Sequence, residues 1–186
     1  MARLLQIASP DAARAGVGFD TPLAMLLECH RRVEAQCDTL ARLVPHLRAA
    51  GSDAAAAEAA QAVMRYFDLA APLHHADEEQ DLFPALLAAA EAAGEVAPVR
   101  RAIEALQGEH RAFESLWLAL RAVLERVVAV QPAQLDPQAV DAFRAAYAAH
   151  IAREEGEVLP MAARLLADGT QARIGRAMRI RRGARD

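Results

Sequence analysis

The sequence predicts an all-α protein, an up-down-up-down four-helix bundle, on three observations. Hydrophobic residues make up 54% of the 186-residue chain, and much of that share is alanine, the best helix former. Aromatic residues are only 4% and β-branched residues are sparse, which leaves a sheet little to build on. Proline and glycine fall mostly at the joints between four long segments of helical periodicity, joined by short loops.

The elements follow in order. Asp20-Thr21-Pro22 offers a cap followed by a proline in the first turn. From there Leu26, Val33, Leu40, Leu43 and Leu47 recur at helical spacing until Gly51-Ser52. A second helix is expected from about Asp53 to Ala93, stopping at Gly94, and Pro72 and Pro84 inside it predict a kink or local break. A third runs from near Pro98 to near Val130. A fourth opens at Asp136-Pro137 and continues to about Ala167, where Asp168-Gly169 closes it. A short fifth helix is expected over about 170–180. The division that results is an N-terminal extension over 1–19, the bundle over 20–167, and a basic C-terminal tail over 168–186, read as frayed or loosely docked.

Composition narrows the partners. The net charge of −4 argues against nucleic acid as the main partner. No apolar stretch is long enough to span a bilayer, and the apolar run near Met1 is too short for a signal peptide. Cys29 and Cys37 would lie about 12 Å apart along one helix, beyond disulfide reach. A reduced, cytoplasmic protein is expected, as a monomer or homodimer; the sequence does not specify a protein partner.

One stretch, HHADEEQDLFP (74–84), gathers two histidines and three carboxylates within six positions, and it has a counterpart. Laid over HIAREEGEVLP (150–160), it matches His74 to His150, Glu78 to Glu154, Glu79 to Glu155 and Pro84 to Pro160. CHRRVE from Cys29 likewise falls on EHRAFE from Glu109, so that His30 meets His110 and Glu34 meets Glu114. The halves repeat each other, helix pair on helix pair, which implies a pseudo-two-fold bundle. His30, His74, His110 and His150 thus stand one per helix, each with a glutamate four residues on, and positions i and i+4 share a helix face. If that face is inward, one buried layer receives four imidazoles and up to four carboxylates.

Such a layer needs a cation. A buried unpaired carboxylate is very costly, and neutral imidazoles cannot compensate several. Two divalent ions can, and imidazole with carboxylate suits iron, manganese or zinc. The absence of thiolates from the set disfavours structural zinc and iron–sulfur clusters.

The spacing H…HxxxE…H…HxxxE, with LFP and VLP after the acidic pairs, resembles the hemerythrin family in its bacterial HHE cation-binding form, over about residues 20–165. The resemblance implies a bundle holding two iron ions, oxo- or hydroxo-bridged, with manganese or zinc as substitutes, and a small ligand, O2 or NO. It implies His30, His74, His110 and His150 as ligands and Glu78 and Glu154 as bridges. Oxygen-carrying members have a second histidine four residues after the third-helix ligand, where this chain has Glu114. Glu114, Glu34 and His75 are therefore reserve ligands. Glu79 and Glu155 are expected beside the site, orienting histidine N–H groups. Phe113 would line the ligand pocket and Tyr147 could donate a hydrogen bond to the ligand. His46 is read as a surface residue, Cys29 as a small buried hydrophobe, and Phe67, Phe143 and Trp117 as core. The expected function is O2 or NO binding, or redox sensing. The alternatives are a di-iron enzyme (iron–sulfur repair, peroxidase or NO-handling) and iron storage. Repair members commonly add a cysteine-bearing N-terminal segment, and residues 1–20 hold no cysteine. Storage bundles use ExxH pairs, the reverse of the order here.

Overall fold

A computed structural model describes residues 18–184, and among them it contains helices and no strand. Helix α1 spans Pro22–Ala50. Helix α2 is one continuous rod made of Ala54–Arg65, Tyr66–Ala70, Ala71–Asp77, Glu78–Leu82 and Phe83–Ala93. Helix α3 spans Val96–Val128. Helix α4 joins Pro137–Arg153, Glu154–Val158 and Leu159–Leu165, and α5 spans Asp168–Arg181. Residues 1–17 and 185–186, which hold most of the expected N-terminal extension and the end of the tail, lie outside the described residues.

Local chemistry explains the ends. Asp53 caps α2 by accepting from the Ala56 N–H, and Asp136 caps α4 by accepting from the Gln138 N–H. Gly94 closes α2 in the left-handed region at φ 74°, where a side chain would be strained. Thr21 precedes α1 without capping it; its hydroxyl donates back to the Gly18 carbonyl. His46 is half-buried rather than a free surface group, with Nε2 2.9 Å from the Asp53 carboxylate, so it ties α1 to the cap of α2.

The kink or local break expected at Pro72 and Pro84 takes the form of a local change of pitch that does not end the helix. Three stretches are π turns, Tyr66–Ala70, Glu78–Leu82 and Glu154–Val158. Pro72, Pro84 and Pro160 each follow two residues after one of them. Proline lacks an N–H and clashes with the carbonyl four residues back. A wide turn just before it moves that carbonyl aside, so the rod continues.

The four long helices pack as a square, α1 against α2 and α4, α3 against α2 and α4. The apolar core forms two clusters. One holds Val33, Leu40, Phe67, Phe113, Trp117 and Phe143. The other holds Leu26, Phe83, Leu86, Leu106 and Met178. Along every helix the repeated histidines fall between these clusters.

The C-terminal segment is a docked helix, not a frayed tail. Ile174, Gly175 and Met178 of α5 are buried. Arg181 and Arg182 both donate to Asp77 of α2, whose carboxylate is fully buried, and Arg181 also donates to Asp81 at 2.6 Å. Basic residues that composition alone assigns to solvent are therefore paired. A Cβ on Gly175 would sit 1.8 Å from the Phe19 carbonyl oxygen, so only glycine permits this close crossing. Gly175→Ala is expected to lower unfolding stability by about 1–3 kcal/mol, measured by thermal and urea unfolding; unchanged stability would show that the crossing is not tight.

Candidate metal centre

The six residues that the sequence repeat singles out converge. His30 (α1), His74 and Glu78 (α2), His110 (α3), and His150 and Glu154 (α4) are all buried, and both carboxylates are fully so. Ligand atoms of His30, His74, Glu78 and Glu154 lie within 4.8 Å of one another, and those of Glu78, His110 and His150 form a second such group. Glu78 belongs to both.

The histidines share one orientation. Each turns Nε2 inward: His30 Nε2 is 3.0 Å from Glu154 Oε2, His74 Nε2 2.9 Å from Glu78 Oε1, and His110 Nε2 3.2 Å from Glu78 Oε2. His150 Nε2 is 3.8 Å from Glu154 Oε2. Three turn Nδ1 outward to a carboxylate: His30 to Glu155 at 3.0 Å, His110 to Glu79 at 2.6 Å, and His150 to Glu109 at 2.9 Å. An ionised carboxylate only accepts, so Nδ1 carries the hydrogen in these pairs and Nε2 of a neutral ring keeps its lone pair for the centre.

Glu79 and Glu155 thus sit where a residue orienting an imidazole N–H must sit. Glu109 does the same and sequence reasoning missed it. The only signal was its place before His110, because His150 reaches it from another helix. Arg153 holds Glu109 from the far side at 3.1 Å. The pseudo-symmetry is imperfect at this point: the repeat puts Cys29 opposite Glu109, so that a thiol stands beside His74 where a carboxylate meets His150, and His74 Nδ1 has no partner in good hydrogen-bonding geometry.

Glu34 and Glu114 are not brought to the centre. Both are exposed, and Glu34 pairs with Arg31 at 3.7 Å. The repeat gave all four glutamates equal standing, but helix pitch does not. In the regular helices α1 and α3 the next inward position after the histidine is three residues on, filled by Val33 and Phe113. In α2 and α4 a π turn begins at Glu78 and at Glu154, and the wider turn keeps the inward row at four-residue steps. His75 is not among the converging atoms either. Its ring stacks flat on His110, with centroids 4.0 Å apart. Phe113 and Tyr147 stack on each other at 4.0 Å, with Phe113 5.1 Å from His150.

Burial opposes charge on every one of these groups, and partners decide the outcome. For His30 burial lowers the pKa, but the hydrogen bond and charge of Glu154 outweigh it and the net shift is upward. His74 is held well above the ordinary histidine value, against burial, chiefly by the Glu78 charge. His110 is also raised, against burial, by the adjoining Glu78 carboxylate. In His150 burial prevails and pushes the imidazole down to about 4. His75 is pushed down to about 2, by burial and then by His110. Burial would raise Glu78, yet the His74 charge and the His110 imidazole 3.2 Å away hold it well below the usual range. Glu154 goes up, through burial and then the Glu78 charge.

The donor set fits a pair of cations. Both Glu78 oxygens, Glu154 Oε1, His110 Nε2 and His150 Nε2 are buried without a partner in hydrogen-bonding geometry. Orphaned polar atoms of this kind are costly in a protein interior, and here they face one another. Two carboxylates and four imidazoles without thiolate match iron, manganese or zinc.

Comparisons with known proteins agree with this geometry. The profile of the hemerythrin HHE cation binding domain family matches residues 21–162. An uncharacterized protein of Haemophilus influenzae is 31% identical over 169 residues, covering 90% of this chain and 94% of that protein. No helix among the described residues is long and apolar enough to cross a membrane.

The pKa directions fix how the metal-free protein responds to pH. His30, His74 and His110 bind protons more tightly folded than unfolded. Their contribution is fully present below the unfolded value and is lost as pH rises through the folded ones. His150 and His75, shifted downward, are neutral in both states above the unfolded value. The Tm of metal-free protein is therefore expected to fall as pH rises above about 6.5, the ordinary histidine value. The Tm gain on adding metal grows over the same range, because ligands must be unprotonated. A metal-free Tm that rises through this window would contradict the assignment.

Proposed function

The chain belongs to the hemerythrin HHE cation-binding family, and from that premise we propose that it holds two iron ions in the buried centre and uses them to bind O2 or NO, or to report redox state, in the cytoplasm. The observation that carries this reading is Glu78. It belongs to both groups of converging ligand atoms, and its two buried oxygens face imidazoles of different helices, Oε1 2.9 Å from His74 Nε2 and Oε2 3.2 Å from His110 Nε2. A carboxylate so placed is available to two cations at once.

Bound there, an iron pair would supply a two-electron redox change and a position for a small ligand. His30, His74, Glu78 and Glu154 would hold one ion; His110, His150 and Glu78 would hold the other, with Glu154, 3.8 Å from His150 Nε2, available to it as the second bridge. Manganese or zinc could substitute on the same donors. The protein's part is to present neutral imidazoles in a fixed tautomer, through Glu155, Glu79 and Glu109, and to keep water out with the stacked Phe113 and Tyr147.

Two experiments test the reading. Protein reconstituted anaerobically with Fe(II) is expected to bind about two iron per chain and to change its visible absorption spectrum on exposure to O2 or NO. His110→Ala and Glu154→Ala are expected to abolish that change; uptake of less than about one iron per chain by the unsubstituted protein would overturn the proposal. Glu109→Ala removes the partner of the His150 N–H without removing a ligand. It is expected to weaken metal affinity by about ten- to hundredfold, measured by competition with a chromophoric chelator, and an unchanged affinity would show that Glu109 has no part in the centre.

A further inference from the structure

Two carboxylates lie between the halves of the centre: Glu78 belongs to both groups of converging atoms, and Glu154, grouped with His30 and His74, also lies 3.8 Å from His150 Nε2. A small ligand has to reach such a buried layer from outside, and the structure offers an opening beside His110, in the His110–His150 half.

A cavity of 610 Å³ lies on that side. Its rim carries the exposed residues Glu114 and Leu118, and its inner wall is His75, His110, Phe113 and Tyr147. His75 holds the position between cavity and centre. Besides stacking on His110, its ring lies 5.8 Å from His74 and 6.4 Å from His150, centroid to centroid. Its Nε2 is buried and has no hydrogen-bond partner in the protein. A buried ring nitrogen in that state is costly unless an incoming molecule satisfies it. The rest of the inner wall is aromatic, which suits a small ligand of low polarity.

We propose that this cavity is the route by which a small diatomic ligand reaches the His110–His150 half, and that His75 is the positioning residue that hydrogen-bonds it there. The inference rests on the metal reading above. Ala76, half-exposed, lines the same cavity, so a larger side chain there blocks the route without touching a donor.

The test follows NO binding to iron-loaded, full-length protein by stopped flow, with iron content measured on every sample. Ala76→Phe is expected to slow association by about tenfold. His75→Phe, which keeps a ring but loses the nitrogen, is expected to speed dissociation by about tenfold, and His75→Gln to recover most of that loss. Iron content stays at the unsubstituted level throughout. A readout without metal accompanies it: xenon dissolved with metal-free protein is expected to shift the NMR signals of His75 and Phe113, and Ala76→Phe to abolish the shift. Full iron content with NO kinetics unchanged in both Ala76→Phe and His75→Phe overturns this inference and leaves the metal reading standing. Failure of the unsubstituted protein to take up iron overturns the metal reading and this inference with it. Xenon shifts absent from His75 and Phe113 overturn the proposed route on their own.

Discussion

Two carboxylates fully withdrawn from water, within a few ångströms of each other in a helical core, are the constraint that the rest of the structure answers to. Leaving water costs each ion several kcal/mol, and repulsion adds to that. Without a cation the protein offsets the cost by drawing protons onto His30, His74 and His110 and by pushing Glu154 up. That is a compromise: several donor atoms in the layer still lack a partner in hydrogen-bonding geometry. Two divalent ions would replace the borrowed protons with fixed positive charge and engage those atoms together.

The fold is arranged to keep that layer dry and in register. Apolar clusters close it above and below, so the charged groups occupy a single slice of the bundle. Carboxylates at the surface of the rods, Glu79, Glu109 and Glu155, reach in to grip the outer imidazole nitrogens. Helix α5 adds an anchor, since Arg181 and Arg182 hold Asp77, the residue directly before Glu78. A segment that looks dispensable in sequence therefore braces the stretch that carries the bridging carboxylate.

Much of this was legible in the sequence because histidine and glutamate repeat in register on four helices, and one repeat checks the other. The bundle, the helix order and the convergence of His30, His74, Glu78, His110, His150 and Glu154 all follow from that register and from helical pitch. What escaped depended on departures from uniform pitch or on contacts across helices. The π turns carry no sequence mark beyond the proline two residues after each, and without them Glu34 and Glu114 looked equivalent to Glu78 and Glu154. Glu109 was invisible because its partner His150 is 41 residues away. The docking of α5 turned on Gly175, whose need for closeness to Phe19 cannot be read from composition.

The most direct test is anomalous X-ray diffraction from crystals of the iron-loaded protein, collected on both sides of the iron edge. Two peaks per chain are predicted, one among His30, His74, Glu78 and Glu154 and the other among Glu78, His110 and His150. A single peak outside these residues, or none within the bundle, would contradict the account.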